Sequence, residues 1–179
     1  MFKEERDTPS FRWSMIGDVA LGRPNLGLQA DARVYRLMQF TLRDVMITQF
    51  GVEKTDEIFH CAGRLAGTEY FRNAVPAGLD FNTYVSALQE GLKSLGIGIL
   101  RVEKADIEKR QFTLTVEEDL DCSGLPFCNE EICAYDEGFI AGLLGAYTGQ
   151  EFAVREIDCW CSGARVCRFD CRSTGAAFA

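Results

Sequence analysis

Glu156, Cys159 and Cys167 are the residues of this sequence best spaced to hold a metal ion. Glu156 and Cys159 stand three residues apart, and Cys167 follows eight residues later. Between the two cysteines, Ser162-Gly163-Ala164-Arg165 is a tight-turn sequence. The spacing therefore predicts a β-hairpin that gathers three donors at one end. A fourth ligand must come from elsewhere. Cys133 is the leading candidate, because it opens a helical pattern over 132–147 that feeds into the first hairpin strand. A helix N-terminus also favours a thiolate there, since its partial positive charge stabilises an anion. Three thiolates and a carboxylate suit tetrahedral Zn²⁺, which takes soft sulfur ligands and tolerates one oxygen. The competing assignment is that these cysteines are buried structural thiols or, in an exported chain, disulfides.

The elements that must position these donors belong to a chain of 179 residues, long enough for one domain with a proper core. Its apolar content of 47% and charged content of 26% are those of an ordinary globular protein. A net charge of -8 argues against non-specific nucleic-acid binding. No apolar run is long enough to span a membrane. The opening stretch MFKEERDTPSFRW is charged and lacks the apolar core of a signal peptide. Eight cysteines without an export signal point to a reducing cytoplasm, and to metal or redox use rather than a disulfide framework.

Residues 1–20 read as a polar N-terminal arm that Phe11 and Trp13 could anchor. Asp31 caps a helix to about Phe50, with Val34, Leu37, Met38, Leu42, Val45 and Met46 as its apolar face and Gly51 as its stop. A second helix covers 54–73, where Gly63 and Gly67 stand four apart and permit the close approach of another backbone. Asp80 caps a third helix through Leu95. Two strands follow, 97–104 and 110–118, joined by a turn at 106–109. In the second, Phe112, Leu114 and Val116 alternate with polar residues. Gly138, Gly142 and Gly145 make the fourth helix costly, about 1 kcal/mol each relative to Ala, so it calls for tight packing or a bound ligand. The closing hairpin pairs 152–160 with 166–171, and 173–179 reads as a disordered tail. One α+β domain, an antiparallel sheet backed by helices, is the expected architecture.

Four features together resemble the 4-vinyl reductase domain family. These are Arg23-Pro24-Asn25-Leu26-Gly27 before a long helix, the Gly63/Gly67 helix, the glycine-rich penultimate helix, and the closing Glu-x-x-Cys-x7-Cys. The resemblance covers residues 21–172. It implies a fold similar to that of Golgi transport-particle subunits, usually dimeric, and a ligand-sensing role like that of phenol-responsive activators or of free-standing hydrocarbon-binding proteins. The family's zinc site is a Cys, a Glu and two further Cys. The matching positions are Cys133, Glu156, Cys159 and Cys167, which leaves Cys61, Cys122, Cys128, Cys161 and Cys171 outside the set and makes Cys122→Ser an expected silent change. Phenol sensors orient the ligand hydroxyl with a His and a Trp. Here the sole histidine is His60, and the strand over 111–118 has Phe112 but no Trp. A more apolar or larger ligand suits this lining, whose candidates are Phe81, Tyr84, Leu88, Phe112, Leu114, Phe139, Leu143 and Tyr147.

The leading functional expectation is thus a cytoplasmic, zinc-containing domain that binds a small hydrophobic molecule as sensor or carrier. It would act as a homodimer and pass its output to a signalling partner protein. The alternatives are a tetrapyrrole-binding reductase accessory, with His60 or Cys161 as an axial ligand, and a scaffold subunit without ligand. No nicotinamide or flavin motif and no paired acid–base set stands out, which favours a binding module over an enzyme.

Overall fold

The computed structural model describes residues 2–178. Its elements run α1 (Val19–Gly22), α2 (Ala32–Phe50), α3 (Val52–Ala74), α4 (Phe81–Ser94), β1 (Ile99–Asp106), β2 (Gln111–Glu117), α5 (Ala134–Thr148), β3 (Gln150–Asp158) and β4 (Cys167–Ala177), with a 3-10 turn at Trp13–Ile16 ahead of them. Local signals set most of these limits. The Asp31 carboxylate accepts the Arg33 N–H at the start of α2, and Asp80 accepts the N–H groups of Asn82 and Thr83 at the start of α4. Gly51, at φ 81°, separates α2 from α3, and Gly149 caps α5 in the left-handed conformation.

The four strands form one antiparallel sheet in the order β1-β2-β4-β3, so the two hairpins join through β2 and β4. Across that seam Phe112 faces Cys171, Leu114 faces Phe169 and Val116 faces Cys167. These six side chains are buried and lie on the covered face with Phe152, Val154 and Glu156 of β3. The expected α+β class, an antiparallel sheet backed by helices, is the one observed.

Helix α5 packs on β3 and α4 on β1, while α3 lies against α5. The sequence of α5 is apolar around most of its circumference because the helix is covered on both sides. Its glycines face α3. A Cβ at Gly138 would run into the His60 carbonyl, and one at Gly142 into that of Arg64. From the other helix, a Cβ at Gly63 or Gly67 would strike the carbonyls of Tyr135 or Phe139. The two helices therefore meet backbone to backbone.

Two sequence expectations are corrected. Residues 173–177 are not a disordered tail but the end of β4, where Ala177 pairs with Gln150 and Ser173 with Phe152. Phe178 secures the end: its N–H donates to the Gly149 carbonyl, and its ring lies over the Arg64 guanidinium, 4.6 Å away. Ala179 lies outside the described residues. The apolar stripe of α2, expected to face the core, points outward instead. Val34, Leu37, Met38, Leu42 and Val45 are each more than half exposed, and no residue of α2 is buried. In the arm, Trp13 is the anchor, with its N–H on the Glu69 carboxylate at 2.7 Å and its ring edge-on to Tyr70.

Candidate metal and ligand site

Four thiols converge at one end of the sheet. Cys167 opens β4, Cys159 follows β3 in the hairpin connection, and Cys133 is the residue before α5. The connection is shaped by the carbonyl of Cys159, which accepts the N–H groups of Ser162 and Ala164, and by Gly163 and Arg165 at positive φ. The fourth thiol is Cys122, from the loop between β2 and α5. That loop is pinned from inside: the buried Asp119 carboxylate accepts the backbone N–H groups of Asp121 at 2.8 Å and Cys122 at 3.1 Å. From outside, Arg36 of α2 donates to the carbonyls of Leu120 and Ser123, while Tyr35 and Gln39 donate to Asp121.

All four cysteines are at most 1% exposed, and their sulfurs lie within 4.8 Å of one another. Cys133 stands 3.9 Å from Cys159 and 3.8 Å from Cys167, while Cys122 and Cys167 are 3.0 Å apart. A tetrahedral ion with Zn–S bonds of about 2.3 Å would separate its sulfurs by about 3.8 Å. The donor set therefore fits a thiophilic metal in kind, number and spacing. No pair is at disulfide bonding distance, and all eight cysteines are free. The neighbouring thiols of Cys122 and Cys133 push the Cys159 thiol down, while that of Cys133 is pushed up by Cys122 and Cys159. Proton sharing of this kind follows from crowding four thiols around one point.

Three of the four residues expected from sequence, Cys133, Cys159 and Cys167, meet in this cluster. The fourth, Glu156, is placed beside it. One carboxylate oxygen accepts the Cys133 N–H at 3.0 Å, the other is buried without a partner, and burial pushes the group up to about 8. Cys122, read from sequence as dispensable, takes the remaining corner. If this arrangement holds a metal, Cys122→Ser loses it, whereas Glu156→Gln keeps it and only loosens the N-terminus of α5. Elemental analysis of the two variants decides between the two ligand sets. Of the other cysteines, Cys171 is in the sheet core, Cys161 is buried with its carbonyl accepting the Cys128 and Asn129 N–H groups, and Cys61 and Cys128 are exposed.

Next to the cluster, an apolar cavity of about 40 Å³ lies between α4, α5, β1 and β2. Five of the expected pocket residues line it: Tyr84, Leu88, Leu114, Phe139 and Leu143. Phe81, Phe112 and Tyr147 do not; they form an aromatic cluster in which Phe81 stacks on Phe112 at 5.2 Å and Tyr147 on Tyr84 at 4.0 Å. The wall is also not purely apolar, as the sequence reading supposed. Asp119 and Asp136 line it, and an oxygen of each lies within 4.8 Å of the other and of the Cys133 sulfur. Burial, and then the charge of Asp119, hold Asp136 well above the ordinary carboxylate range, while burial pushes Asp119 up to about 7. Asp136 was findable, because it stands four residues before Ile140 and seven before Leu143, on the same helix face.

A small antiparallel sheet with helices layered on one face, and a cavity between them, defines an α+β fold with known relatives. The family model of the 4-vinyl reductase domain matches residues 112–176, from β2 through almost all of β4, and the chain resembles that family. Among solved structures, the chain is similar to the phenol-responsive sensory domain of the transcription activator PoxR with phenol, at 16% identity and a TM-score of 0.64 over 82% of this chain and 76% of that one. It is similar to a vinyl-4-reductase family protein from Methanocaldococcus jannaschii, at 14% identity and a TM-score of 0.59 over 93% and 99% of the two chains. A trafficking protein particle complex subunit 3 from Naegleria fowleri, covalently bound to palmitic acid, matches at 11% identity and a TM-score of 0.64 over 82% and 96%.

Proposed function

We propose that this chain is a zinc-containing domain, residues 21–172 extended by the end of β4, that binds a small hydrophobic molecule as a sensor or carrier. The observation that carries this reading is the shared wall between cavity and thiol cluster: Asp119 and Asp136 line one and lie against the other. Similarity to a domain with phenol and to a subunit carrying palmitic acid supports an aromatic or hydrocarbon ligand. Zinc among Cys122, Cys133, Cys159 and Cys167 would be structural, since four protein ligands leave no open position for a catalytic water. It would tie the loop between β2 and α5 to the closing hairpin.

The exposed apolar stripe of α2 favours a second copy of the chain as its cover, in line with the dimers that the family resemblance implies. The same stripe favours the scaffold reading, in which assembly alone is the role. No helix is long and apolar enough to cross a membrane among the described residues. A sensor in the cytoplasm would therefore pass its signal to a partner protein.

Native mass spectrometry with elemental analysis, on protein purified without added metal, tests the reading. The expected result is one zinc per chain with an additional organic mass retained in the gas phase. Zinc without any ligand, in protein that takes up no hydrophobic probe, would turn the reading to the scaffold.

A further inference from the structure

Resting on the binding reading above, we infer that the cavity selects ligands with an apolar body and a hydrogen-bond-donating, positively charged head, a small primary amine being the simplest case. The cavity runs along α4, whose Tyr84, Leu88 and Leu92 line it at successive turns. Its floor is Leu100, Leu114 and Val116 of the sheet. These walls accept an aliphatic or aromatic body and offer it no polar contact.

The other end is different. A Cβ at Gly98 would stand 3.6 Å from the Asp119 Cα, which places Asp119 just beyond the C-terminal end of α4. Asp136 meets it there from the first turn of α5. One oxygen of Asp136 is buried and has no hydrogen-bond partner. Among the described residues no cation pairs with Asp119 or Asp136. The nearby Arg36 guanidinium is directed at the carbonyls of Leu120 and Ser123 instead. A separate acceptor and donor opens on the same cavity: Tyr84 is 1% exposed, and its buried hydroxyl is also without a partner.

Buried acceptors without donors set the ligand's chemistry. A pure hydrocarbon would leave the Asp136 oxygen unsatisfied, and a carboxylate would be driven against two carboxyl groups in a low-dielectric wall. An ammonium supplies three N–H donors and the missing positive charge. Discrimination then comes as much from rejecting acids as from accepting amines.

The test uses the metal-loaded protein as purified and isothermal titration calorimetry with two matched series. One is n-butylamine, 1-butanol and butyrate; the other is benzylamine, benzyl alcohol and benzoate. In whichever series binds, the amine is expected to bind at least about tenfold tighter than the acid, the effect of one charge-assisted hydrogen bond. Asp136→Asn should erase that preference and leave the alcohol unchanged. An acid or alcohol that binds as well as its amine would overturn the inference while leaving a ligand-binding domain intact. Silence from all six probes would sink the binding reading itself, and this inference with it. A loss of metal in Asp136→Asn would also overturn it, by assigning the carboxylate to the metal rather than to a ligand.

Discussion

Cys159→Ser yields protein without bound metal and with a melting temperature lowered by roughly 10–20 °C. The reasoning starts from the cluster: Cys159 is fully buried, and its sulfur lies with three others within 4.8 Å. A serine hydroxyl is a poor ligand for a soft-ligand site, so three thiols would be left to hold the ion. Because the site forms only in the folded chain, metal affinity is folding free energy. Losing it should cost about 5 kcal/mol, at about 2–4 °C per kcal/mol for a domain of this size. Cys171→Ser is the control. Cys171 is as deeply buried but lies outside the cluster, so it should keep the metal and lose only about 1–3 kcal/mol for an unsatisfied hydroxyl. Metal analysis and thermal melts on the two variants separate a metal site from ordinary packing. If both variants kept their metal and melted alike, the cluster would be four structural thiols.

How far the sequence led depended on whether the deciding contact was local. The cap at Asp31, the stop at Gly51 and the Ser162–Arg165 turn act within a few residues, and helix α2 and the closing hairpin appear where they were expected. Glycine spacing was legible too, because small residues four apart on two helices imply a close crossing. Cys122 was not legible. Its place depends on how the loop after β2 folds back through Asp119 and Arg36, groups 3 and 86 residues away from it in the chain. Glu156 shows the opposite problem. It has the right spacing and lies on the covered face, yet one of its oxygens is taken up by the Cys133 N–H. The α2 stripe carried a helical period but no information about which surface covers it. Periodicity names a face, and only the tertiary structure says whether that face is inside.

The second large effect is at the crossing of α3 and α5. Gly67→Ala should destabilise the domain by about 3 kcal/mol net, or a fall of roughly 6–12 °C in melting temperature. An added methyl at Gly67 would meet the Phe139 carbonyl, with the carbonyl carbon 2.9 Å away and the Cα 3.1 Å away. Backbone atoms of a packed helix cannot rotate aside as a side chain does, so the whole of α5 would have to shift. It cannot shift freely, since its other side lies on β3 and its N-terminus adjoins the thiol cluster. The gain of about 1 kcal/mol in helix propensity from Gly to Ala is too small to offset that strain. Gly22→Ala provides the contrast: nothing lies within 4 Å of a Cβ there, so the propensity gain should show with its sign reversed, as slight stabilisation. Because α5 carries Asp136, Phe139 and Leu143 into the cavity, Gly67→Ala should also weaken binding of any cavity ligand without touching it. Equal melting temperatures for Gly67→Ala and the parent protein would show that the helices do not cross as closely as this geometry requires.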